Sequence, residues 1–118
     1  MPYIDGFVIP VPTANRDIYR AHETKWWGTF KELGALSLMV GWGDDVPAGK
    51  QTDFMRAVAA TSEETVVFCW MTWPDKATRD AAYHKMMETT PEMMDMPFDG
   101  KRMIYGGFTP LVMEGGAA

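Results

Sequence analysis

Apolar and polar positions alternate from Tyr3 to Ile9 with the two-residue period of a strand, rich in aromatic and β-branched side chains. Pro10 and Pro12 are expected to stop it. Thr13 reads as a helix N-cap, with Asp17 in the positively polarised first turn. The period then lengthens: Tyr19, His22, Trp26, Phe30 and Leu33 recur at spacings of three and four, the mark of one helix face, and Gly34 supplies the stop. Leu36 to Trp42 returns to strand alternation, with Leu36, Leu38, Val40 and Trp42 on one side. Gly43 to Lys50 is a loop dense in Gly, Pro and Asp. Phe54 to Val58 is a short apolar patch whose type the pattern does not assign, and Thr61 to Glu64 is polar loop. Thr65 to Trp73 is the strongest strand, apolar on both faces, so both faces should be covered. Asp75 caps a second helix running to about Thr89, with Ala82 and Met86, and Tyr83 and Met87, on its inner side. Pro91 to Gly100 is an irregular Met-rich connection. Arg102 to Phe108 and then Leu111 to Met113 read as a last strand, interrupted at Gly106-Gly107 by a bulge or a close backbone approach. Gly115 to Ala118 is expected to fray.

The order βαββαβ predicts the ferredoxin-like α+β fold: a four-stranded antiparallel sheet with two helices on one face. The other face then needs cover, which a second subunit would supply through a two-fold contact, so a homodimer is expected. A chain of 118 residues, 47% of them hydrophobic, suits one domain spanning residues 1–118. A net charge of −5 disfavours nucleic acid as a partner. Arg16, Arg20, Lys25 and Lys31 are interleaved with Asp17, Glu23 and Glu32, as on a solvated helix face. Cys69, the single cysteine, excludes an intramolecular disulfide and reads as a buried, inert thiol. No signal-peptide pattern opens the chain and no apolar run suits a membrane helix, so a cytoplasmic protein without a membrane partner is expected.

Three stretches carry a resemblance. The opening Tyr3-Ile4-Asp5-Gly6-Phe7-Val8-Ile9-Pro10-Val11-Pro12, the segment Gly43-Asp44-Asp45-Val46-Pro47-Ala48-Gly49-Lys50 and the run Met96-Pro97-Phe98-Asp99-Gly100-Lys101-Arg102-Met103-Ile104-Tyr105-Gly106-Gly107-Phe108 resemble the YbaA-like bacterial family of unknown function. The resemblance covers nearly the whole chain. It implies a dimeric α+β barrel and carries no established activity, hence no catalytic residues. The chain departs from the family pattern at Met55, where proline is common, at Tyr83, where asparagine often follows the Arg79-Asp80 pair, and at Asp75, where serine is frequent. Some relatives carry a label mentioning signal-recognition-particle RNA, to which the acidic balance lends no physical support.

Asp5 is the most informative residue, because a carboxylate inside an apolar central strand is costly to desolvate unless paired. Arg102, Lys101 and Tyr105, on the expected neighbouring strand, are the candidate partners. Asp5 reads either as a polar handle in a ligand cavity or as a structural ion pair. His22, between Tyr19 and Trp26, is either a proton carrier or a satisfied core residue; His84 is a weaker candidate. Two histidines and one cysteine show no zinc spacing. Asp44-Asp45 reads as a turn, with Lys50 and Arg56 near enough to neutralise it, rather than a cation site. Met86, Met87, Met93, Met94 and Met96 read as adaptable filler rather than Cu(I) ligands. Gly41-Trp42-Gly43 and Gly106-Gly107 lack the phosphate-loop pattern.

The expectation is therefore a small-molecule cavity between sheet and helices, lined by Trp26, Phe30, Trp70 and Tyr105, in a cofactor-free and metal-free protein that binds its ligand or transforms it. The candidate catalytic set is Asp5 as acceptor or base, His22 as proton carrier, Arg102 as charge-balancing group and Tyr105 as hydroxyl donor. The alternatives are a non-catalytic regulatory or stress-related binding module, and a homodimer whose aromatic residues are all core.

Overall fold

A computed structural model describes residues 1–89 and 96–115. The first strand, β1 (Tyr3–Pro12), runs through both prolines that were expected to end it. It pairs over its full length with β3 (Glu64–Trp73), but with β4 (Ile104–Phe108) only from Ile4 to Val8. The amide of Thr13 donates to the Glu63 carbonyl on the β3 side (2.9 Å). By the two-residue strand period, the nitrogens of Pro10 and Pro12 point the other way, past the end of β4, where no ladder bond is lost.

β2 (Ser37–Trp42) lies on the outer edge of β3, so the antiparallel sheet has the order β2-β3-β1-β4. This is the ferredoxin-like α+β architecture that the alternation predicted. Two helices cover one face: α1 (Arg16–Glu32) and α3 (Lys76–Thr89). A 3-10 turn at Thr13–Asn15 precedes α1, and the Thr13 hydroxyl bonds that of Thr65 (2.7 Å) instead of capping the helix. Gly34 closes α1 at φ +112°, a conformation in which a side chain would be strained. Asp75 caps α3 as expected, its carboxylate accepting the Thr78 amide at 2.7 Å.

Odd-numbered residues of β1 and β3 face the helices and build two clusters. Ile9, Val11, Val67 and Cys69 pack with Tyr19 of α1; Met71 and Trp73 pack with Ala35 and Ala82. Trp73 is fully buried, and burying a large apolar side chain contributes about 1.5–3 kcal/mol.

The opposite face is covered at one end only. The untyped apolar patch forms a one-turn helix, α2 (Phe54–Ala57), capped by Asp53, whose carboxylate accepts the Arg56 amide and Nε (2.7 and 2.9 Å). Arg56 is thereby committed to Asp53 rather than to Asp44-Asp45, which are exposed. The Phe54 ring meets Phe68 edge-on at 5.9 Å, and Val58 and Val66 are buried beneath. Beyond α2 the face stays open, with Met39, Phe68, Ile104 and Phe108 each about half exposed.

The last strand also ends early. Leu111, Val112 and Met113 are exposed and unpaired to the sheet, because Phe108 already stands opposite Ile4 near the start of β1 and no strand remains to receive them. Gly106 and Gly107 sit in regular register with Gly6 and Asp5, so there is no bulge; the close approach is real, since a side chain at Gly107 would collide with the Tyr3 ring. Of the tail expected to fray, Gly115 to Ala118, residues 116–118 lie outside the described residues, as do Met93 and Met94. Among the described residues no helix is long and apolar enough to cross a membrane.

Candidate functional site

Between the two core clusters the sheet and helices leave a cavity of about 440 Å³. Strand alternation supplies its floor from Phe7, Ile9, Cys69 and Met71, and the inner side of α1 supplies Trp26, Trp27 and Phe30. Phe98, Met96 and Met103 close one wall, and the exposed Met87, Tyr105 and Asp80 form the rim.

Asp5 stands at the edge of this cavity, 2% exposed. Four donor groups converge on its carboxylate. Oδ1 accepts Arg79 Nε (3.0 Å) and Nη2 (2.8 Å), while Oδ2 accepts Trp73 Nε1 (2.9 Å) and the Tyr83 hydroxyl (2.9 Å). Arg79 thus straddles Oδ1, with Nε also reaching Oδ2 at 3.3 Å, in a charge-assisted pairing. Its Nη1 reaches Asp80 at 2.9 Å. The Asp5 hydrogen bond, ahead of that from Asp80, holds the guanidinium pKa above its ordinary value. Burial, then the charge of Asp5, raises the Tyr83 phenol, which remains a donor. Arg79 is sandwiched between the rings of Tyr3 (5.3 Å) and Tyr83 (5.1 Å), and Tyr3 in turn lies over Gly107. The glycine opposite Asp5 therefore makes room for the ring that seats the arginine.

Carboxylate pairing was anticipated from the sequence, but with the wrong partners. Arg102 does not meet Asp5: its Nη1 and Nη2 grip Glu64 (2.7 and 2.6 Å), its Nε takes Asp99 (2.9 Å), and Nη1 also donates to the Ala59 carbonyl. It ties the approach to β4 onto the start of β3 and holds the Glu64 carboxyl down at about 2. Lys101 contributes a backbone amide to Asp99. Trp70 is not in the cavity either. It pairs in register with Gly6 and Met39, between the inward-facing Cys69 and Met71, so its side chain lies on the open sheet face beside Phe68 (5.6 Å). Tyr105 does line the cavity, at the rim, with its ring stacked near Phe7 (6.5 Å). His22 lines it too, half-buried among the rings of Tyr19, Trp26 and Phe98 at 6.3–6.5 Å. Trp26 and Phe30 occupy the expected wall.

Arg79, Trp73 and Tyr83 were missed as partners of Asp5. A signal existed: Arg79 precedes Tyr83 by four residues, one turn back along the inner side of α3. Glu23 was also missed, being read as part of a solvated face. It lines the cavity, and burial pushes its carboxyl pKa up against a smaller lowering by Tyr19. The buried Tyr19 hydroxyl lies close enough to feel that charge but makes no aligned hydrogen bond. Cys69 is buried, and its thiol is pushed up to about 12, first by burial and then by Glu23. Among the described residues no three His, Cys, Asp or Glu side chains converge as metal ligands would.

Comparison with solved structures shows the same fold at low sequence identity. SnoaB, a cofactor-independent oxygenase from Streptomyces nogalater, superposes with a TM-score of 0.59 at 10% identity, over 95% of each chain. A dimeric ferredoxin-like protein from an uncultured marine organism gives 0.57 at 14% identity, over 97% of this chain and 99% of that one. In sequence, the chain is 51% identical to the uncharacterized protein YbaA of Escherichia coli (strain K12), over 97% of its own length and all of that protein. YbaA of Shigella flexneri matches with the same identity and coverage. Residues 2–100 match the family described as "Protein of unknown function (DUF1428)", and the chain belongs to that family.

Proposed function

We propose that the protein is a homodimer whose cavity between sheet and helices binds a small, largely apolar molecule. The observation that carries this reading is the cavity itself: about 440 Å³, walled by aromatic and thioether side chains, with a few polar groups at defined points. That size and composition match small-molecule sites in general. Asp5 and Arg79 bond each other as well as bordering the space, so they hold its wall rigid, whereas Glu23 and His22 face the space from α1.

A second reading, a cofactor-free enzyme, is favoured by Glu23. A half-buried carboxyl whose proton affinity is raised by desolvation can take a proton from a bound substrate and return it. The likeness in fold to a cofactor-independent oxygenase is compatible with this reading and carries no residue across.

Dimerisation is supported by the open sheet face, where Met39, Phe68, Ile104 and Phe108 expose apolar surface that a second copy would cover. The test of binding is native mass spectrometry of the purified protein, followed by a thermal-shift screen of whatever co-purifies. A ligand of the cavity raises the melting temperature in proportion to the logarithm of its concentration above Kd, and a bulky Cys69→Trp substitution abolishes that rise. If the variant folds and the rise persists, the molecule binds elsewhere.

A further inference from the structure

The charges around the cavity are unevenly matched. Asp5, Glu23 and Asp80 line it, against one guanidinium, Arg79. That guanidinium is already shared between Asp5 (2.8 Å) and Asp80 (2.9 Å). Glu23 has no cationic partner within ion-pair distance among the described residues, and residues 90–95 contain neither lysine nor arginine. The Tyr19 hydroxyl, its neighbour one turn earlier, makes no aligned bond to it. On the cavity side His22 and Cys69 are the other titratable groups near this carboxyl; on its other side it borders a groove with Arg16 and Arg20, neither of which pairs with it within ion-pair distance.

The walls point the same way. Trp27, Phe30, Phe98 and Tyr105 line the space, and Trp26 beside them already carries a cation over its ring, the Lys25 ammonium at 5.4 Å. The negative face of an aromatic ring attracts a cation and offers nothing to an anion. A carboxylate ligand would find the arginine occupied and an unpaired carboxyl opposing it.

Resting on the cavity reading given above, we infer that the molecule it takes is a hydrophobic amine, with the protonated nitrogen on the Glu23 carboxylate and the apolar body among the aromatic walls. Burial disfavours ionised Glu23 on its own; an ammonium at hydrogen-bond distance restores the charge by pairing it.

Three probes of one shape separate the possibilities: phenethylamine, phenethyl alcohol and hydrocinnamate, titrated against the whole protein by calorimetry. The amine is expected to bind at least about tenfold more tightly than the alcohol, the scale of one charge-assisted hydrogen bond, with hydrocinnamate weakest. In Glu23→Gln the amine falls to the affinity of the alcohol, while the alcohol changes less than about twofold. Equal binding of amine and alcohol by the native protein overturns the inference and leaves the cavity reading standing. So does an amine preference that survives in Glu23→Gln. If none of the three binds at millimolar concentration, the cavity reading falls as well. The ranking of the probes on the native protein decides the matter even if the variant folds poorly.

Discussion

Removing Arg79 and Asp5 together should cost clearly less than the sum of removing each alone. In Arg79→Met the alkyl stem is retained but Asp5 Oδ1 loses both of its donors, Nε at 3.0 Å and Nη2 at 2.8 Å. Oδ2 keeps Trp73 and Tyr83, so a carboxylate 2% exposed is left half-satisfied and without a counter-charge. Breaking a buried pair from one side costs about 3–5 kcal/mol. Asp5→Asn keeps a carbonyl for Trp73 and Tyr83 but turns a neutral group toward the guanidinium, a loss of about 2–3 kcal/mol. The double variant has neither charge left to desolvate. Its loss should fall short of the sum of the two by about 2 kcal/mol or more. Urea unfolding of the four proteins, followed by tryptophan emission, closes the cycle. Additivity within about 0.5 kcal/mol would refute the claim that the two charges are held as one unit.

The pair formed by Arg102 and Glu64 makes stability depend on pH in acid. Because Glu64 is held at about 2, below its free value of 4.5, its contribution is complete above the free value and disappears as pH falls toward 2. With Arg102 still partly exposed, the loss is about 1–2 kcal/mol, and Glu64→Gln should flatten the acid limb of a denaturation series. Gly107→Ala would drive a methyl into the Tyr3 ring and unseat Arg79; a fall of about 1–3 kcal/mol is expected, and Tyr3→Ala in the same chain should relieve part of it. Phe68→Glu on the open face should convert the proposed dimer to a folded monomer in light scattering, whereas an unchanged mass would place the contact elsewhere.

Local periodicity carried most of the fold. The unbroken apolar run of β3 and the three-and-four spacing of Tyr19, Trp26 and Phe30 mark where these elements are packed, and both elements formed close to where the pattern put them. Errors arose where a partner decides the outcome. Pro10 and Pro12 end a strand only if their nitrogens face a neighbour, and that depends on where β4 stops. Leu111 to Met113 has strand composition but nothing to pair with. The cost of burying Asp5 was legible from its apolar surroundings, yet its cation came from α3 rather than the adjacent strand, because the helix crosses the face toward which Asp5 points. Trp70 was assigned to the cavity from its aromatic character, although the parity of β3 turns it outward alongside Phe68. Glu23 looked like one of many charged residues on α1; only the packed arrangement of α1 against the sheet shows that it faces inward.

Cys69 has a practical corollary. The chain has a single sulfhydryl, shut inside the core and held in its protonated form. Thiolate chemistry requires both access and ionisation, so maleimides and spin labels should pass it by under native conditions. A second cysteine introduced on an exposed loop, at Asp44 for instance, would then be the sole reactive handle, and pulsed magnetic-resonance distances between labels would test the proposed dimer and its geometry without first stripping the native residue.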